Sequence, residues 1–97
     1  MSNLLFPVAV VGLRPRQQRI LAAKLGLQLA GRLRFLDHQS GSLTVPRSCR
    51  YAVVWVDFIS LRHVLQVVAQ VGRDRTIRYS GGVKGLAEEL FGLMMAA

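Results

Sequence analysis

The chain has almost no cysteine, few acids, few aromatics and no long apolar run, and each shortage excludes something. Cys49 is the single cysteine among 97 residues, so no intrachain disulfide can form. A metal centre would also lack its usual Cys/His companions, because only His38 and His63 accompany that thiol. No uninterrupted apolar stretch approaches the ~20 residues needed to span a bilayer, so no membrane partner is expected. Met1 to Phe6 lacks a basic n-region and a small-residue cleavage site, so a cytoplasmic protein without a signal peptide is expected. Aromatic residues make up 7% of the chain, too few for a platform that stacks unpaired bases. Acids are the sharpest shortage: 5 Asp+Glu face 13 Lys+Arg, a formal net charge of +8.

Lysine accounts for only Lys24 and Lys84 of that basic total; the rest is arginine. A GC-rich genome explains arginine in place of lysine, but not the missing acids. Arginine's planar fork donates paired hydrogen bonds to phosphate, so the composition points towards a polyanionic partner. Hydrophobic residues supply 52% of the chain, enough for one core in one domain spanning residues 1–97. A chain this short leaves much apolar surface uncovered, and self-association is expected.

Residues 7–12 (PVAVVG) and 51–56 (YAVVWV) are continuous apolar, β-branched runs, the pattern of strands buried on both faces. Residues 28–36 (QLAGRLRFL) alternate, with Arg32 and Arg34 opposite Leu33 and Phe35, and residues 75–80 (RTIRYS) are of mixed polarity; both suit edge strands. Pro15 opens a helix over 16–25 that carries Ile20, Leu21 and Leu25 inward and ends at Gly26. Ser60 caps a helix to Val71 whose inner face is read as Leu61, Val64, Leu65 and Val68. A last helix from Val83 to about Met95 faces inward with Val83, Leu86, Ala87, Leu90, Phe91 and Met94. Residues 37–48 form the one loop-like stretch, with a short extended piece at Leu43 to Val45. Strands alternating with helices predict an α/β domain of the small Rossmann-like or flavodoxin-like kind: a four-stranded parallel sheet in the order 2-1-3-4, with three helices.

In such a sheet ligands gather beyond the carboxyl ends of the strands, where the order reverses. That crevice would be lined by Gly12, Arg14 and Arg16 on one side and by Asp57, Ser60 and His63 on the other. No GxGxxG or GxxxxGK[ST] pattern follows Gly12, so no cofactor is expected. Gly12 alone suits a strand-end turn, Asp57 a loop cap, and His63 an ordinary packed histidine. Arg14, Arg16 and Arg19 stand at a helix start, where cations are unfavourable, which makes them candidates for phosphate contact. Arg32 and Arg34 add charge on an edge strand, and Arg47, Arg50, Arg73 and Arg75 fall at the amino end of the sheet.

Val8–Gly12 (VAVVG) and Val56–Ser60 (VDFIS) resemble a family of small bacterial α/β domains of unknown function. In that family a V-x-V-V-G strand opens the chain and a later strand closes in Asp-aromatic-aliphatic-Ser before a helix. The resemblance implies the same fold over nearly the whole chain and carries no activity. Where the family pattern has a second glycine and a histidine, this chain has Leu13 and Leu61, so a polar site built there would be altered.

The expectation is a non-enzymatic basic protein that binds nucleic acid through Arg14, Arg16, Arg19, Arg32 and Arg34. A nucleotide or phosphometabolite sensor at the crevice is the alternative. A homodimeric interaction module using Phe91, Leu93, Met94 and Met95 on the last helix is another.

Overall fold

The computed structural model describes residues 7–36 and 43–96. Four strands, β1 (Val8–Val11), β2 (Leu33–Leu36), β3 (Tyr51–Trp55) and β4 (Thr76–Tyr79), form one all-parallel sheet in the order β2-β1-β3-β4. The helices are α1 (Pro15–Leu25), α2 (Leu27–Ala30), α3 (Leu61–Val71) and α4 (Val83–Ala96). The expected order and class are therefore those of the molecule, with the two apolar strands central. Val8 lies level with Leu33 on one side and Tyr51 on the other; Ala52 lies level with Thr76.

Strand alternation divides the core in two. Val8, Val10, Leu33, Val53 and Trp55 point to the face covered by α1 and α4, where they meet Leu21, Leu86, Leu90 and Met94. Ala9, Val11, Ala52 and Val54 point to the other face and meet Val64 and Val67 of α3 with Leu43, Val45 and Cys49. Each fully buried Val or Leu contributes about 1.5–3 kcal/mol from its removal from water. The second face has small side chains at Ala9 and Ala52, and a single extended segment covers part of it where a helix would otherwise be needed.

That segment is pinned by a side chain. Gln70 on α3 accepts the Val45 N–H through Oε1 (2.6 Å) and donates through Nε2 to the Leu43 carbonyl (2.6 Å). The amide thus takes both backbone positions that a neighbouring strand would take.

Four expectations need correction. Residues 28–30 belong to α2 rather than to the second strand: Gly31 N–H reaches Leu27 O at 3.1 Å and Arg32 N–H reaches Leu29 O at 3.0 Å. Gln, Leu and Ala are good helix formers, and β-branched and aromatic residues are absent from that stretch. On α3 the inner face is Val64, Val67, Val68 and Val71, whereas Leu61 and Leu65 are 66% and 53% exposed. Ile20 on α1 is also mostly outward at 41%. On α4, Met94 is fully buried and Leu93 packs on the core, while Phe91 and Met95 are each 50% exposed. Of the four residues expected at an α4 interface, only Phe91 and Met95 are open to a partner. His38 and the start of its loop lie outside the described residues.

Candidate nucleic-acid interface

At the carboxyl end of the sheet, the gap between β1 and β3 is occupied by the protein itself. Gly12 has φ +112°, and a Cβ there would stand 3.0 Å from Trp55 Cβ, 3.1 Å from Trp55 O and 3.4 Å from Ile59 Cγ2. The glycine is required by this close approach and by its backbone conformation, where L residues are strained. No bound phosphate is needed to account for it.

Asp57 closes the neighbouring gap between β3 and β4. Its carboxylate accepts from Ser80 Oγ at 2.9 and 3.0 Å, from Gly81 N–H at 3.2 Å and from Trp55 Nε1 at 3.3 Å. The Ser80 hydroxyl first, then the Gly81 N–H, hold the Asp57 carboxyl below its ordinary pKa, with burial opposing weakly and Trp55 assisting. Trp55 is itself clamped, with Phe58 edge-on at 4.8 Å and Tyr79 at 6.1 Å between ring centroids. Tyr79 Oη donates to Gly82 O at 2.7 Å, seating the ring beneath the start of α4.

Ser60 and His63 engage one another. Ser60 Oγ accepts the His63 N–H at 3.4 Å, capping α3, and lies 3.3 Å from His63 Nδ1. Of the six residues expected to line a ligand crevice, four therefore serve in the protein's own joints: Gly12 in a close approach, Asp57 in a strand-end link, Ser60 and His63 in a helix cap.

The arginines of α1 stand apart from these joints. Arg14, Arg16 and Arg19 are all exposed, and no acid occupies the first turn. Two glutamines close the turn instead: Gln17 Oε1 accepts the Arg14 N–H at 2.9 Å, and Gln18 Nε2 donates to Leu13 O at 3.1 Å. Arg16 and Arg19 are three residues apart and share one helix face. The whole of α1 (PRQQRILAAKL) is free of acids, so its own helix offers the trio no carboxylate.

Arg32 and Arg34 belong elsewhere. Arg32 is half-buried just before β2, at the amino end of the sheet, and Arg34 lies on the α3 face. One guanidinium nitrogen of Arg34 donates to Gly31 O (3.0 Å) and Leu33 O (3.1 Å), so that side chain is partly committed to its own backbone. The five expected contacts thus separate into a trio at the start of α1 and a pair at the far end of β2.

A third basic group follows from the turn before β4. Val68, Arg73, Thr76 and Arg78 wall an open groove of about 540 Å³ on the α3 face. Sequence periodicity gives Arg78 an outward position on an edge strand, but its convergence with Arg73 depends on the 3-10 turn at Arg73–Arg75, which no pattern announces. Buried Cys49 has a thiol pKa raised by desolvation, against smaller lowering effects of Arg34 and Ser48. Among the described residues, no group of three or more His, Cys, Asp or Glu side chains is placed to hold a metal ion, and no helix is long and apolar enough to cross a membrane.

No family model matches the chain, and neither a curated protein nor a solved structure matches it.

Proposed function

We propose that this chain is a small, basic, non-enzymatic protein that binds nucleic acid through its phosphates, with Arg14, Arg16 and Arg19 making the first contacts. The observation that carries the reading is the trio itself: two exposed cations, Arg14 and Arg16, at a helix N-terminus with no acid in the first turn, and exposed Arg19 three residues after Arg16 on the same face. Positive charge in the first turn opposes the helix dipole by about 0.3–1 kcal/mol for each of Arg14 and Arg16. A phosphate bound there relieves it, meeting both the guanidinium groups and the helix end. The +8 net charge supports the same partner class. Contacts of this kind position a protein on a backbone without reading sequence.

Fluorescence anisotropy against labelled duplex DNA, single-stranded DNA and RNA over a salt series tests the reading. Replacing Arg14, Arg16 and Arg19 by Ala weakens binding to every sequence and flattens the salt dependence by roughly 0.9 per lost phosphate contact on duplex DNA. Unchanged affinity in the triple variant removes the assignment, and no binding by the parent protein at ~50 mM salt removes the function.

The protein is further proposed to pair with a second copy through α4. Phe91 and Met95 are half exposed beside a groove of about 390 Å³ lined by Leu25, Ala87 and Gly92, with Lys24, Lys84 and Glu88 at its margin. This is the one described α-helix that carries acids, and Glu88 stands at the groove margin with Lys24 and Lys84, so the same patch on a second copy offers charges of both signs. A monomeric mass by sizing with light scattering at high concentration rules this out.

A further inference from the structure

We propose that the groove walled by Arg73 and Arg78 is a second phosphate site, and that one protein molecule therefore holds two separate nucleic-acid segments. The inference rests on the phosphate-binding reading of the α1 trio.

The groove is built for an anion. Arg73 and Arg78 are both exposed and form its walls with Val68 and Thr76, and among the described residues no acid lines it. Its backbone is favourable too. Tyr79 O accepts from Val56 N–H at 2.9 Å, so Ile77 and Tyr79 turn their peptide groups towards β3. Alternation then points the Arg78 N–H outward along the open edge of β4. The adverse element is the carboxyl end of α3, whose carbonyls repel an anion. That field is already blunted: Gly72 O accepts from Thr76 Oγ1 at 2.8 Å and from Arg75 N–H at 3.2 Å, and Val68 O accepts from Gly72 N–H at 2.8 Å. Two guanidinium groups and one strand-edge N–H remain for a phosphodiester.

The two sites cannot serve one straight duplex. The α1 trio follows the carboxyl end of β1 on the face covered by α1 and α4. Arg78 alternates with Ile77 and Tyr79, which pack on that same face, so Arg78 and its groove belong to the α3 face. The clusters therefore occupy opposite faces of a body measuring 33 × 28 × 19 Å, with Arg73 before the amino end of β4 and Arg78 level with Val11 at the carboxyl end of β1. A rigid duplex lying against one face leaves the other free for a second segment.

The test uses two short duplexes of the same sequence, one carrying a donor fluorophore and the other an acceptor. Parent protein at about one molecule per two duplexes brings them together and raises energy transfer. Arg73→Ala/Arg78→Ala loses the transfer yet binds a single labelled duplex within about threefold of the parent by anisotropy. Arg73→Lys/Arg78→Lys, which keeps the charge, retains most of the transfer, and an unchanged melting temperature shows that the Ala variant is folded. Persistent transfer in the Ala variant overturns the proposal and assigns bridging to paired copies with one site each. Anisotropy binding by the parent without any transfer also overturns it while leaving the α1 reading in place. Absence of binding removes both.

Discussion

Asp57 shows how much one side chain can do at a sheet end. It joins β3, through Trp55, to the turn before α4, through Ser80 and Gly81. Its folded pKa lies below the ordinary carboxylate value, so its contribution is fully present above the unfolded pKa of about 3.9. The contribution disappears as pH falls from there through the folded pKa. Asp57→Asn should therefore melt lower than the parent at pH 7, with the gap narrowing below pH ~4; thermal melts across that range check it. A constant gap would place its role in packing rather than in ionisation. In sequence, Asp57 reads first as a loop cap, and its link to β4 is not legible because Ser80 and Gly81 lie more than twenty residues away.

Among the elements, the central strands were the most legible. Val8–Val11 and Ala52–Trp55 are apolar at every position because both faces are covered, and no helix period fits such short runs. Helix faces were less so. On α3, Leu61, Val64, Leu65 and Val68 satisfy a helical stripe as well as Val64, Val67, Val68 and Val71 do. The valine set is the one turned inward against the small Ala9 and Ala52. The Leu43–Val45 segment was visible as extended chain, but not its fastening. Gln70 supplies two hydrogen bonds across a sequence separation that no local pattern spans. Gln70→Ala should cost about 1–3 kcal/mol, by leaving Val45 N–H and Leu43 O short of partners. Chemical denaturation measures the loss. Hydrogen exchange at Val45 should rise by more than exchange in β1, and uniform acceleration would mean that the clamp stabilises the whole fold equally.

For the whole molecule, the arginine trio and the α4 groove lie at opposite ends of α1, because the groove is lined by Lys24 and Leu25 at the carboxyl end of that helix. Arg14, Arg16 and Arg19 stand at the start of α1, while Phe91 and Met95 are half exposed on α4 beside a groove with Glu88 at its margin. A nucleic-acid contact and a self-contact therefore need not compete for one surface. Phe91→Ser should weaken pairing by about 2 kcal/mol, roughly 30-fold in Kd, if the ring fills the partner's groove. Its effect on single-duplex affinity should be small. Sedimentation velocity and anisotropy on the same variant separate the two effects.

The strand order also has a consequence in time. β1 is made before the other strands but finishes in the interior, flanked by β2 and by β3, whose Tyr51 lies level with Val8. During synthesis one flank of β1 is an open apolar edge until β3 emerges from the ribosome, and neighbouring nascent chains offer the same edge. Over residues 1–50, Asp37 is the only acid against eight basic residues, so unfinished chains repel one another throughout that interval. The arginines thus guard the strand that the rest of the chain has yet to cover.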